Sequence, residues 1–293
     1  MKRIGVIGNP GGWSSERLAD AIEKRTGFRM LVDTTGMVLD LNAGTVRHDG
    51  LDLLDLDAVV IKKTGRQYAP EHLDRLEMLR FLAGRGIPVM SDPLRIARVL
   101  NRLTCTVTLR MHGLPMPPTT ITENLDEAVD AAKRFGRSVL KPLLSTKARG
   151  MEVVDAGNGV REQIRRFREN GNPILYLQKM IDLHNRDLAV AFLGGEYVGT
   201  YARIKGDGSW NTTVRSGGCY RSHDASPAII ELARSAQEPF GLDFTSVDIA
   251  ESEDGPVIFE VSAFGGYRGL LEGCGIDAAD RYAEYVLNRI GHG

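Results

Sequence analysis

Cysteine is scarce: Cys105, Cys219 and Cys274 are odd in number and far apart, which excludes a disulfide framework and a Cys-x-x-Cys metal clip. They read as reduced thiols of a cytoplasmic protein. No run of about five or six like charges occurs, and the formal net charge is only -1, so the electrostatic footprint of a nucleic-acid binder is missing. Nothing approaches the roughly 20 consecutive apolar residues of a membrane-spanning helix. The apolar run after Met1-Lys-Arg is strand-length, too short for a secretion signal. The histidines, His48, His72, His112, His184, His223 and His292, fall at no metal-ligand spacing. There is no internal repeat and no low-complexity segment. These absences predict a soluble protein without nucleic-acid or membrane partners.

What is present, 293 residues of mixed composition, suffices for two compact units or one multi-lobed enzyme. Residues 4–8, 28–32, 56–62 and 87–90 read as strands, 14–25 and 71–82 as helices, and 37–48 as a hairpin, which predicts a small parallel α/β domain. Ser14 or Ser15 would cap the first helix. The preceding Gly8-x-x-Gly11-Gly12 turn lacks the Gly-x-Gly-x-x-Gly dinucleotide spacing, so chain reversal or a substrate contact is the reading there. Lys62, Lys63 and Arg66 leave the third strand at its carboxyl end, where open α/β sheets bind ligands, although a solvated basic loop is the plainer reading.

Asp92-Pro93 is a helix start, and helices cover 94–112. The proline-rich crossing 113–118 then opens a new unit with strands 119–121, 138–141 and 151–154 and helices 125–135 and 160–170. After a break at 170–173 come strands 174–178, 187–193 and 196–203, the last two joined by the tight turn Gly194-Gly195. Helices follow at 226–240 and 277–290. The expected organisation is three units, 1–94, 95–173 and 174–293, in an α/β chain whose lobes are α+β.

Between the last two helices lies the most informative stretch, residues 243–269. Two apolar strands each carry a carboxylate, Asp248 and Glu260, and a turn at Asp254-Gly255 brings them side by side. Ser262, two residues beyond Glu260, shares its face. Acids in strands this apolar need a basic partner or a hard cation, and an ordinary salt bridge and a metal site both remain open on this pattern alone. Upstream, Lys141 ends a strand, the next loop adds Lys147 and Arg149, and Arg203 ends another strand before Trp210, Asn211, Thr213, Arg215 and Gly217-Gly218. Cations for phosphate charge and acids for a bridging metal together describe a nucleotide-metal site.

The order Lys141-Pro142, Gln178-x-Met-Ile181, Asp187, Arg203, Trp210 with Gly217-Gly218, Asp248 and Glu260-Val-Ser262 resembles the ATP-grasp fold, and is most similar to amino-acid ligases of the RimK and LysX type. Ile87-Pro-Val-Met-Ser-Asp-Pro93 and Gly113-Leu-Pro-Met-Pro-Pro-Thr119 resemble the family's segments before its ATP lobes, so the likeness covers nearly the whole chain. The resemblance implies a small pre-ATP-grasp α/β domain at the N-terminus. It implies that Gln178, Lys179, Met180 and Ile181 form the hinge strand against adenine and that Asp187 meets the ribose. Lys141, with Lys147 and Arg149, would bind phosphates, Arg203 would face the γ-phosphate, and Asn211 and Thr213 would complete the nucleotide site. Asp248, Glu260 and Ser262 would hold two Mg²⁺, with Mn²⁺ able to substitute. The implied reaction joins a small-molecule or peptide carboxylate to an amine through an acyl phosphate, often in a homo-oligomer. An ATP-dependent kinase and a non-catalytic nucleotide-binding regulator on the same scaffold are the alternatives.

Several positions depart from the family. Ser262 and Thr213 stand where it usually has Asn, Asn101-Arg102 replaces Asp-Lys, and Ala189 replaces Arg. These point to a divergent branch with an unfamiliar acceptor, whose anionic substrate Arg215, Arg221, Tyr267 and Arg268 would hold.

Overall fold

The computed structural model describes residues 1–291, so His292 lies outside it. The chain opens with β1 (Ile4–Ile7), α1 (Trp13–Thr26) and β2 (Leu31–Val32), followed by three short strands, β3 (Val38–Asp40), β4 (Thr45–His48) and β5 (Leu51–Asp52), that form their own antiparallel sheet. Next come β6 (Ala58–Ile61), α2 (Glu71–Gly84) and β7 (Val89–Met90). Strands β1, β2, β6 and β7 pair in parallel in the order β2-β1-β6-β7. The order reverses between β1 and β6, so the loops after them flank the sheet's switch point. The serine cap expected for α1 is absent: Gly12 precedes the helix without a side-chain bond, and Ser15 turns inward to accept from the Asn9 N–H at 3.1 Å. A Cβ on Gly8 would lie 2.7 Å from Ser15 Oγ, so the glycine lets the helix settle onto the strand end.

Asp92 caps α3 (Pro93–Leu100), and Asn101 ends it and caps α4 (Arg102–Met111) by accepting from the N–H groups of Leu103 and Thr104. The second unit contains β8 (Thr119–Thr122), α5 (Leu125–Phe135), β9 (Arg137–Leu140), β10 (Glu152–Asp155), α6 (Val160–Glu169) and β11 (Leu175–Lys179), its antiparallel sheet running β10-β9-β11-β8. The third is a five-stranded antiparallel sheet of β12 (Arg186–Leu193), β13 (Glu196–Ile204), β14 (Cys219–Ser222), β15 (Phe244–Ser252) and β16 (Gly255–Ser262), ordered β14-β13-β12-β15-β16. Helices α7 (Pro227–Gln237), α8 (Tyr267–Cys274) and α9 (Ala278–Gly291) complete the chain.

Strand β14 and helix α8 are not expected from the sequence. Gly266, Gly269 and Gly273 would lower any helix forecast over 267–274. The reason for them is Tyr201: a Cβ at those positions would come within 1.6, 2.2 and 2.8 Å of its side chain. The Gly194-Gly195 turn is as expected, with φ of 60° and 84°.

Two of the three apolar cores join the parallel sheet to the five-stranded one. One runs from Ile7, Leu79 and Leu109 to Phe192, Val247 and Ile258, the other from Leu18 and Val60 to Tyr201, Phe244 and Tyr282. The third, from Ala128 to Leu177, stays within the small antiparallel sheet. A cleft opens between that sheet and the five-stranded one. No helix among the described residues is long and apolar enough to cross a membrane.

Candidate active site

The site is written in the register of the five-stranded sheet. Ser222, Tyr201, Ala189, Asp248 and Glu260 lie opposite one another across β14, β13, β12, β15 and β16, and the neighbouring row is Tyr220, Arg203 and Asp187. Residues two apart in a strand share a face, so both rows point the same way. Asp248 and Glu260 are direct cross-strand partners, side by side as expected, although the two turn residues are Glu253 and Asp254, which by themselves would set Phe259 opposite Asp248. The register shifts after Asp248, where Phe259 is the extra residue of β16. Such bulges re-aim side chains, and here Phe259 comes to lie 5.2 Å beneath the Lys141 ammonium.

The row is cross-linked by arginine. Arg203 grips its cross-strand partner Asp187 with Nε to Oδ1 at 3.0 Å and Nη2 to Oδ2, and reaches diagonally to Asp248 Oδ2 at 2.8 Å. Both oxygens of Asp187, the expected ribose contact, are therefore occupied by Arg203. Arg102 donates to Glu260 Oε2 at 2.9 Å and to the Pro142 carbonyl at 3.1 Å, tying the loop after β9 to β16. Three carboxylates thus face two guanidinium groups. The shortfall shows at Asp248, which burial, followed by the Glu260 and Asp187 charges, holds up at about 7 in spite of Arg203. Such an under-neutralised set of hard oxygen donors fits a divalent cation of the Mg²⁺ type. Among the described residues no three His, Cys, Asp or Glu side chains gather at one point, so such a cation would share its shell with ligand oxygens.

The facing wall comes from the small sheet. Lys141 Nζ donates to Gln178 Oε1 at 2.5 Å, and Gln178 Nε2 donates to Thr119 Oγ1 at 3.0 Å and Tyr176 Oη at 3.3 Å. Gln178 is buried, and its side chain tethers the lysine. Burial, then the Arg102 charge, brings Lys141 down to about 7. The Met180 N–H is taken by the Arg137 carbonyl at 2.9 Å, which leaves Ile181 as the next donor along the hinge. From above, Thr213 Oγ1 donates to Asn211 Oδ1 at 2.8 Å. That loop folds down because Gly218 has no Cβ, which would lie 2.5 Å from the Thr212 carbonyl oxygen.

These walls enclose an open cleft of about 860 Å³. It brings together Lys141, Lys147, Gln178, Lys179, Met180, Ile181, Asp187, Arg203, Asn211, Thr213, Asp248 and Glu260, all singled out in the sequence. Apolar Val139, Met151, Leu183 and Phe259 share the lining with the charged rows, the mixture an adenine nucleotide requires. Arg149 is not among the lining residues. Ser262 lines a smaller cavity beside Glu260, Tyr68, Ser145 and Thr146. Of the residues expected to hold substrate, Arg215, Arg221, Tyr267 and Arg268, none lines the cleft. Arg215 and Arg221 are exposed, and Arg268 lies 5.1 Å over Trp13 and 3.5 Å from Glu272. Tyr267, expected to hold substrate, is 2% exposed with its ring beneath the Lys62 ammonium, because α8 turns that residue into the core. Arg102 and Phe259 were not expected in the site. The Asn101-Arg102 pair in place of Asp-Lys was a signal for the first, but a bulge leaves no mark in the pattern of β16.

Residues 99–286 match the RimK-like ATP-grasp domain. The chain belongs to that family. It is 26% identical to the tetrahydromethanopterin:alpha-L-glutamate ligase of Methanosarcina acetivorans, over 98% of this chain and 99% of the other. Its fold is similar to the RimK domain ATP-grasp protein of Sphaerobacter thermophilus, with a TM-score of 0.75, 20% identity and coverage of 97% and 98%. It is also similar to the ATP-grasp ligase PsnB complexed with a phosphomimetic variant of a minimal precursor, Mg and ADP, with a TM-score of 0.76, 16% identity and 99% coverage of each chain. As a RimK-like ATP-grasp enzyme, the protein is an ATP-dependent ligase that forms C–N bonds between carboxylate and amine, in a family that uses ATP and Mg²⁺.

Proposed function

We propose that this ligase activates a carboxylate as its acyl phosphate in the cleft between the two antiparallel sheets, and that it works in the cytoplasm. The observation that carries the reading is the paired row Asp187–Arg203 and Asp248–Glu260, facing Lys141 across the cleft. A carboxylate oxygen attacks the γ-phosphorus, the bond to the β-phosphate oxygen breaks, and ADP leaves. The amine nitrogen then attacks the acyl carbon, the C–O bond to phosphate breaks, and inorganic phosphate and a proton are released. Lys141 and Lys147 hold phosphate oxygens, and Arg203 leaves Asp248 to meet the charge that develops on the transferred group. Asp248 and Glu260, with Ser262 at the edge, would hold the Mg²⁺, which supplies Lewis-acid neutralisation of the phosphates when bound; Mn²⁺ is proposed to replace it. Ile181 and the flanking hinge backbone take the adenine edge.

L-Glutamate is the first co-substrate to test, because a relative that matches over almost the full length is named for it. Enzyme, ATP and Mg²⁺ are incubated with L-glutamate and glutamate-terminated peptides, with and without hydroxylamine. Hydroxamate formation together with ADP is expected. A stable phosphorylated product without hydroxamate would mean a kinase, and tight nucleotide binding without ADP would mean a regulator.

Lys141 provides a second check. Phosphate oxygens restore its charge, so nucleotide binding takes up a proton between its depressed value of about 7 and the ordinary 10.5. Below that window Lys141 is charged both before and after binding, and no proton moves. Affinity should therefore fall as pH rises above 7. Calorimetry in buffers of different ionisation heat should show uptake approaching one proton at about pH 8.5, absent in Lys141→Met. Equal uptake by that variant would rule out the lysine as the source.

A further inference from the structure

Lys62 directly follows β6 at the switch point of the parallel sheet and is 2% exposed. Its ammonium donates to the carbonyl oxygens of Phe264 at 2.9 Å and Gly265 at 3.2 Å, and stands 3.5 Å from the centre of the Tyr267 ring. Two carbonyls and one π face thus satisfy its three N–H directions. Among the described residues no carboxylate pairs with it, and burial lowers its pKa well below the lysine norm. A buried ammonium held by two carbonyls and one ring of a segment some 200 residues away is a costly way to fill space, which methionine would do more cheaply.

The segment it holds leaves the strand that carries Glu260 and Ser262 and opens α8. The Gly265 carbonyl also accepts from the Tyr267 N–H at 3.0 Å. On the other side the turn is pressed against the site-facing sheet: a Cβ on Gly265 would lie 2.7 Å from Ser246 Oγ, and one on Gly266 would lie 1.6 Å from Tyr201 Oη. Because peptide units are planar and trans, carbonyls fixed on Lys62 turn the N–H groups of Gly265 and Gly266 away from it.

We propose that Lys62 is a positioning residue for the ligation: reaching from the N-terminal sheet, it fixes the turn of Phe264, Gly265 and Gly266 that ends the acid-bearing strand, and so holds the end of that strand, with Glu260 and Ser262, in place. The proposal rests on the ligase reading above. The test is Lys62→Met, with Lys62→Gln as the second variant, whose two amide N–H donors still suit the carbonyls and keep the fold where methionine fails. Hydrogen exchange and ADP release with L-glutamate and hydroxylamine are both read. The KM for ATP should stay within about threefold while kcat falls roughly a hundredfold in the methionine variant and less in the glutamine one, the signature of misplaced reacting groups. Amides of residues 264–269 should exchange faster while β12 and β13 keep their protection. Wild-type exchange at 264–269 and wild-type kcat in the folded methionine variant, or in the glutamine variant should methionine not fold, would overturn the proposal, whereas recovery by glutamine of what methionine loses supports it. Absence of ADP release from the wild type would overturn the ligase reading instead, and the exchange measurement would still decide whether Lys62 holds the turn.

Discussion

Arg203→Met is expected to lose both turnover and stability, and Arg203→Lys only turnover. Among the described residues Arg203 is the sole cation bonded to both Asp187 and Asp248. Removing it leaves two buried acids facing each other, and stranding the partners of a buried pair costs about 3–5 kcal/mol. A lysine keeps the charge and so recovers most of that loss, measured by urea unfolding without nucleotide. It does not recover the fixed fork that bonds Asp187 through two nitrogens and reaches Asp248. Donors aimed at developing phosphoryl charge are worth on the order of a thousandfold in rate, so single-turnover ADP release should fall by about that much in both variants. Turnover by Arg203→Lys at the wild-type rate would show that the arginine is a structural tie and not part of the chemistry.

The second large effect is expected for Glu260→Gln. The glutamine is the same size, and its amide oxygen still accepts from Arg102, so the change in unfolding free energy should be only about 1 kcal/mol. What disappears is one of the two cross-strand negative charges of the proposed metal position. A Lewis acid contributes several kcal/mol to charge stabilisation, and each 1.36 kcal/mol is about tenfold, so ADP release should drop at least about a thousandfold while metal-free nucleotide binding is retained. Calorimetric titration with Mg²⁺ and a non-hydrolysable ATP analogue separates the two steps. A folded variant with normal turnover would remove Glu260 from the metal assignment.

Why some of this is visible in the sequence and some not follows from how far apart the interacting groups lie. That the two acid-bearing strands form a hairpin is local, specified by the turn and the apolar runs on either side. The turn alone would set Asp248 opposite Phe259, and it is the bulge that brings Glu260 there. The strands that carry Lys141, Gln178, Asp187 and Arg203 are equally legible, because apolar runs bounded by glycine, proline and asparagine announce them. Partners are harder to read. Asp187 and Arg203 can be seen to end adjacent strands, yet their mutual grip and the reach to Asp248 depend on the register of three strands. The residues expected to hold substrate are placed by distant contacts in the same way: Tyr267 and Arg268 are neighbours in the chain, but α8 rotates Tyr267 inward and carries Arg268 to Trp13.

By itself, then, the sequence determined the family, the alternation of sheets and helices, and the acids and cations that line the cleft, since these rest on local periodicity, turn chemistry and the order of charged strand ends. Only the tertiary structure decided that α8 exists, that Phe259 bulges into the cleft, that Arg102 and Arg203 occupy the acids, and that Lys62 holds the turn after β16. Each of these is set by packing or pairing between residues distant in the chain, such as the fit of Tyr201 against glycines 266, 269 and 273, and close-packing of that kind leaves no periodic mark in the sequence.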